Sequence, residues 1–210
     1  MAKVKDPKRS AIGRRSRRKG AVNERVVAAL LRAWWGRGEF LRTPSSGGWA
    51  GSKQAREDLN AAGDIVTSER DFPFCVEVKS QEGWSFVQFM REPGTCLIRK
   101  WWEQTTSETP NGKIPLLMFT RIRQPWFVML PTPWLQAAHR AKVIHMDGGP
   151  SVPWPINRLS PWMDLQIPDN PPSLVTVLTW ETFSSFPAEA WRTLLALTTQ
   201  ARTARAAMVD

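Results

Sequence analysis

The chain has 210 residues, 42% of them apolar, which is enough for one sizeable buried core with an appended segment. A formal net charge of +10 favours an anionic partner, nucleic acid first and an acidic membrane surface second. A run of about 18 apolar residues is missing, as is an apolar stretch behind the basic N-terminus, so a spanning helix and a secretory signal are not expected. Two cysteines, Cys75 and Cys96, suit a reducing, cytoplasmic setting and are too few for a structural zinc site.

Residues 1–20 carry nine Lys or Arg against a single acid, Asp6, with almost no large apolar side chain, and read as a flexible basic arm. Such an arm is either a solvated tail or a grip on phosphates through Arg14, Arg15, Arg17, Arg18 and Lys19. From Ala21 to about Trp35 the spacing of Val22, Val26, Leu30 and Ala33, with Val27 and Trp34, predicts a helix whose opposite side carries Arg25 and Arg32. Gly36 and Gly38 supply its stop. Glu24, in the first turn and near the edge of the stripe, reads equally well as a partner for the helix dipole or as a functional acid. Arg42-Thr43-Pro44-Ser45-Ser46-Gly47-Gly48 follows as a turn-rich segment. The stretch to Asp64, with Trp49, Lys53, Arg56 and Asn60, reads as a loop or short helix.

Gly63-Asp64-Ile65-Val66 and Phe74-Cys75-Val76-Glu77-Val78-Lys79-Ser80 are both strand-like, and the polar linker between them ends in Pro73, as a hairpin loop does. A strand alternates, so Phe74, Val76 and Val78 form a core face while Cys75, Glu77 and Lys79 share the other. A hairpin partner would bring Asp64 beside them. Two carboxylates and an ammonium suit metal-assisted phosphodiester hydrolysis, because hard divalent cations are held by one or two carboxylates plus water and phosphate oxygens. Taken alone, Glu77-Val78-Lys79 reads as an ordinary exposed strand face with a charge pair, and it is the residues N-terminal to it that favour the catalytic reading.

After Lys79, Gln81 lies close enough in sequence to support such a site. Phe86 to about Thr106 reads as helical, broken near Pro93-Gly94. Ile114–Thr120 and Trp126–Leu130 read as core strands joined by the basic turn Arg121-Ile122-Arg123-Gln124-Pro125. Thirteen of the 17 prolines fall between Pro110 and Pro187, so the chain beyond Leu130 is expected to be loop-dominated. Within it a strand is expected at Leu174 to Phe183, then an amphipathic helix from Pro187 to Met208 using Trp191, Leu194, Leu195 and Leu197. The 12 tryptophans suit core positions or stacking on unpaired bases, and His139 and His145 are read as structural.

In order and spacing, Glu24-Arg25, the Ser45-Ser46-Gly47 turn, Asp64 and Glu77-Val78-Lys79 resemble the PD-(D/E)xK nuclease superfamily, in particular its archaeal-type Holliday junction resolvase branch and bacteriophage relatives. Gly63 stands where the pattern has proline, a departure expected to leave the ligands untouched. The resemblance covers about residues 15–130 and implies an α/β fold: a restriction-endonuclease-like core with a mixed central β-sheet flanked by helices. Residues 1–20 would be the arm, 21–130 the nuclease core and 131–210 a Pro/Trp-rich extension, ending in a helix and packed on the core or on a partner subunit. It further implies Mg2+, with Mn2+ as a substitute, held by Asp64, Glu77, Glu24 and the Val78 carbonyl. Lys79 would position the attacking water and Ser46, or else Ser45, would lie near the scissile phosphate. Arg25 and Arg42 would face DNA. The implied activity is metal-dependent endonucleolytic cleavage of branched DNA by a homodimer, with no membrane partner. A related nuclease for flap, duplex or site-specific substrates and a non-catalytic basic DNA-binding protein are the alternatives.

Overall fold

The computed structural model describes residues 7–43, 63–91, 95–140, 162–167, 173–194 and 196. Helix α1 spans Pro7–Trp35. It begins well before Ala21: Pro7 is tolerated at a first helical position, and the Arg, Lys and Ala that follow are good helix formers. The basic stretch through residue 20 therefore continues the helix, where the sequence had suggested an arm. Its buried face carries Val27, Ala28, Leu31 and Trp35, whereas Val22 and Val26 are 51% and 41% exposed. The contact face is rotated by about one residue from the expected stripe, because the neighbours α1 packs on meet the helix from the Trp35 side. Gly36, at φ 77, ends it by donating its amide to the Arg32 carbonyl at 3.1 Å.

Strand β1, Phe40–Arg42, pairs antiparallel with β2, Ile65–Thr67, and β3 spans Phe74–Ser80. The expected β2–β3 hairpin is thus corrected: the ladder partner of β2 is β1, and a single parallel bridge between Gly63 and Val76 links this pair to β3. Aromatic burial explains the path. Phe72, in the connection, lies edge-on to Trp35, Phe40 and Phe74 with centroids 5.0 to 5.5 Å away, which anchors on the core a connection that turns at Glu69–Phe72, where the Phe72 amide donates to the Glu69 carbonyl at 3.2 Å.

β3 is the edge of a five-stranded sheet of order β3-β4-β5-β7-β6, in which β4 is Ile114–Thr120, β5 Phe127–Pro131, β6 Trp162–Ile167 and β7 Ser173–Thr179. β3 and β4 run parallel, joined by a crossover through α2, Phe86–Arg91, and α3, Leu97–Glu108. The remaining pairs are antiparallel. This is a mixed α/β architecture with helices on both faces of the sheet. The two faces follow strand alternation. Leu117, Phe119, Phe127, Met129, Val175 and Val177 pack with Trp84, Phe89, Ile98, Trp101 and Trp102 from the crossover. Phe74, Val76, Val78, Leu116, Met118, Val128 and Leu178 pack with α1 and with the helices that follow β5 and β7. Trp35, Trp84, Trp101, Trp102, Trp180 and Trp191 are all buried, so these rings are core and not platforms for bases.

Beyond Leu130 the chain is more regular than its prolines suggest. α4, Thr132–Arg140, starts directly after β5, with Pro133 in the first turn where it costs no hydrogen bond. β7 stops at Thr179, whose hydroxyl accepts the Thr182 amide and caps α5, Trp180–Ser184, so the expected strand to Phe183 is shortened. A helical run over 188–194, here α6, buries Ala190, Trp191 and Leu194; Leu195, Leu197 and the expected continuation to Met208 lie outside the described side chains. Leu194→Ala is expected to cost about 2–3 kcal/mol in urea unfolding, because its side chain is 3% exposed within the α1 face of the core. Among the described residues, no helix is long and apolar enough to cross a membrane.

Candidate active site

The site forms where the segment before β2 docks on the free edge of β3. The Asp64 amide donates to the Val76 carbonyl at 2.8 Å, and the Val78 amide donates to Asp64 Oδ2 at 2.9 Å. From the other side, Thr43 donates its amide to the Asp64 carbonyl and its hydroxyl to the Gly63 carbonyl, both at 2.8 Å. Asp64 is thereby clamped between the end of β1 and the edge of β3. Within one strand residue N–H and C=O point to the same side, so the Val78 carbonyl also faces this edge and not β4.

Gly63 makes the approach feasible. Its φ is +81, and a Cβ there would lie 2.4 Å from the Val76 carbonyl oxygen. Proline, fixed near φ −65 ± 15°, could not adopt this backbone. Glycine and proline are therefore not interchangeable at this backbone.

On β3, Glu77 and Lys79 lie side by side as alternation predicts, with Lys79 Nζ donating to Glu77 Oε1 at 2.5 Å. Their face is not open along its length, for Cys75 and Glu77 are 2% and 5% exposed. Burial pushes the Asp64 carboxyl up to about 7, helped by the nearby Glu77 and Glu24 charges; the Val78 amide and Lys79 oppose this. Burial likewise raises Glu77 against the pull of Lys79, with Glu108 and Glu24 adding to the rise. Burial is thus the main reason both carboxyls are held high at this edge.

Glu24 reaches this neighbourhood from α1, and its carboxylate accepts from Arg42 Nε across the β1 end. Arg42, expected at the DNA, is thus ion-paired with Glu24. Arg18, Lys19 and Arg25 are exposed on α1, and Arg14, Arg15 and Arg17 lie in its first half. Ser45 and Ser46 fall outside the described residues, as do Trp49, Lys53, Arg56 and Asn60. Sequence reasoning missed Thr43 and Gly63, which hold Asp64 in place, and Glu108, whose charge reaches Glu77. Only Gly63 left a signal, a glycine immediately before an acidic strand residue.

Among the described residues, no group of three or more His, Cys, Asp or Glu is disposed to hold a metal ion. Two carboxylates do converge, and Mg2+ is commonly held by one or two carboxylates with water and phosphate oxygens completing its octahedron. Asp64 and Glu77, two desolvated carboxyl groups whose ionised forms a cation would compensate, fit a divalent ion on that footing.

A mixed sheet flanked by helices, with an Asp docked beside a Glu-x-Lys strand, is the arrangement of the PD-(D/E)xK nuclease class. The family model described as "Phage putative PDDEXK endonuclease" matches residues 15–147. The chain belongs to this phage PD-(D/E)xK endonuclease family and is a nuclease of that type. No curated protein and no solved structure matched it.

Proposed function

We propose that the chain is a divalent-metal-dependent endodeoxyribonuclease whose reaction centre is Asp64, Glu77 and Lys79, and that its substrate is branched DNA of the four-way-junction kind. The observation that carries the reaction centre is the docking of Asp64 on β3, which puts its carboxylate on the Val78 amide, between the Glu77 and Lys79 positions of the strand. Asp64 and Glu77 would hold the cation, with the Val78 carbonyl facing the same edge. When bound, the cation supplies Lewis acidity that acidifies water and offsets charge growing on the phosphoryl oxygens. Lys79 hydrogen-bonds Glu77 and can turn its remaining donors towards water or a phosphate oxygen. Glu24 would contribute through Arg42, as a charge that holds the guanidinium at the β1 end where a phosphate could be shared. Exposed Arg18, Lys19 and Arg25 on α1 would add sequence-independent, salt-sensitive affinity.

Support for DNA as substrate comes from the family and from the +10 net charge. Junction preference and a homodimer rest on the resemblance to resolvases, which cut two opposed strands and so favour two-fold symmetry. The test is cleavage of a labelled four-way junction, flap, duplex and single strand, in Mg2+ or EDTA, by wild type and Asp64→Ala. Paired nicks confined to the junction, dependent on Mg2+ and lost in the variant while binding persists, are expected. Preferential cutting of another substrate would keep the chemistry and remove the junction assignment. Binding with no cleavage in Mg2+ or Mn2+ would leave a non-catalytic DNA-binding protein.

A further inference from the structure

The turn between β4 and β5 stands at the same end of the sheet as Lys79. Lys79 pairs with Phe119 and Ser80 with Thr120, and the Gln81 amide still donates to the Thr120 carbonyl at 3.3 Å. Ile122 follows Phe119 by three residues, so along the strand direction it lies roughly 10 Å beyond the level of Lys79 at most. That is about three base-pair rises of duplex DNA.

The turn is held on both flanks. Arg121 Nη1 donates to the Trp84 carbonyl at 2.8 Å while its guanidinium lies 5.0 Å from the Trp84 ring centre. The Ile122 amide donates to Glu82 Oε1 at 2.9 Å, and the Gln124 amide to the Arg121 carbonyl at 3.1 Å. The Thr120 hydroxyl lies 3.0 to 3.2 Å from the carbonyls of Arg121, Gln124 and Pro125. What this frame displays is unusual. Ile122 is 65% exposed, the most of any large apolar side chain among the residues whose burial is described. Arg123 sits at φ 63, the one described non-glycine residue in the left-handed region, where glycine would be the unstrained choice. A pinned, strained turn thus presents one branched apolar side chain next to one exposed arginine.

The geometry points to this turn as a wedge in DNA: Ile122 enters an opened base step within a few base pairs of the scissile phosphate, and Arg123 pairs with a flanking phosphate. The reading rests on the nuclease proposed above for its placement beside the reaction centre. Apolar side chains such as isoleucine open base steps and kink the duplex in just this way. A continuous duplex must be unstacked to admit the side chain, while a branch point, nick or gap offers an open step, so the wedge would favour discontinuous DNA. A single side chain is too small an apolar surface for a stable protein partner, which needs about 1,000 Å2 or more.

The test uses 2-aminopurine placed within a few base pairs of the branch point of a four-way junction and at the matching position of a duplex, with full-length protein in EDTA so that no cleavage is needed. Wild type is expected to raise 2-aminopurine fluorescence, and Ile122→Ala to abolish the rise and slow junction cleavage in Mg2+ by about 10-fold, with little change in affinity. A gap at the same step should restore the rate of Ile122→Ala. Arg123→Gly is expected to weaken binding, flatten the salt dependence by about one phosphate contact, and leave the melting temperature equal or higher. Unchanged fluorescence and cleavage in Ile122→Ala would overturn the wedge. So would a change in oligomeric state of Ile122→Ala without DNA, which would place Ile122 in a protein interface. If wild type opens the step yet cleaves no DNA in Mg2+ or Mn2+, the wedge stands and the nuclease reading falls. If wild type cleaves and Ile122→Ala matches it in every respect, the reverse holds.

Discussion

Gly63→Ala should unfold in urea about 3 kcal/mol earlier than wild type and lose at least about 100-fold in kcat/KM. Two penalties combine. A left-handed backbone costs an L-residue about 1–2 kcal/mol. The added methyl would also meet the Val76 carbonyl oxygen at 2.4 Å, an atom that belongs to β3 and accepts the Asp64 amide. Relief requires residues 63 and 64 to back away from the strand, which stretches the Val78 amide bond to Asp64 and displaces the carboxylate from Glu77. Misplacement by about 1 Å is enough to cost about 100-fold in rate. Single-turnover cleavage and equilibrium unfolding check both halves, and wild-type cleavage by Gly63→Ala would show that Asp64 need not touch β3.

Asp64→Asn is expected to do two opposite things: abolish cleavage, and stabilise the metal-free protein at neutral pH by on the order of 2–4 kcal/mol. The Asp64 carboxyl titrates near 7 when folded and near 3.8 when unfolded. Between these values the native state keeps a proton that the unfolded chain has released, so stability falls as pH rises from about 4 to about 7 and then levels off. Asparagine retains an oxygen for the Val78 amide but carries no charge to desolvate, so the variant should lack that fall. For wild type, adding Mg2+ should recover stability above pH 7 and less below it, because protons compete for the same oxygen. Urea midpoints from pH 5 to 8.5, with Mg2+ and with EDTA, measure this; a variant as pH-sensitive as wild type would remove Asp64 as the source.

The part of the site that was legible in the sequence is the part dictated by strand alternation. Glu77 and Lys79 must share a face whatever surrounds them, and Asp64 preceded an equally plain strand. The strands at 114–120 and 126–130 and the helix break near Pro93 were legible for the same reason: apolar runs with clear punctuation. Pairing was not. β1 has three residues, too few for any period, so nothing showed that β2 would take it as partner and leave the β3 edge to Gly63 and Asp64. Thr43 acts through its hydroxyl and amide on main-chain carbonyls, contacts that depend on where the chain returns and leave no trace in residue type. The helix start was missed because a basic composition says little about conformation when Arg, Lys and Ala are also helix formers.

β7 lies between β5 and β6, so β5, paired by β4 on one side, has its other edge covered by residues 173–179. The family match ends at residue 147, before that cover is supplied. During synthesis the nuclease strands emerge first, and the apolar edge Phe127–Pro131 stays uncapped until a late segment threads in beside it. A chain cut at 147 would carry Asp64, Glu77 and Lys79 yet expose a strand edge ready to pair with its own copies. The match boundary therefore falls inside the sheet's folding unit, and a fragment trimmed to it should self-associate before it cuts DNA.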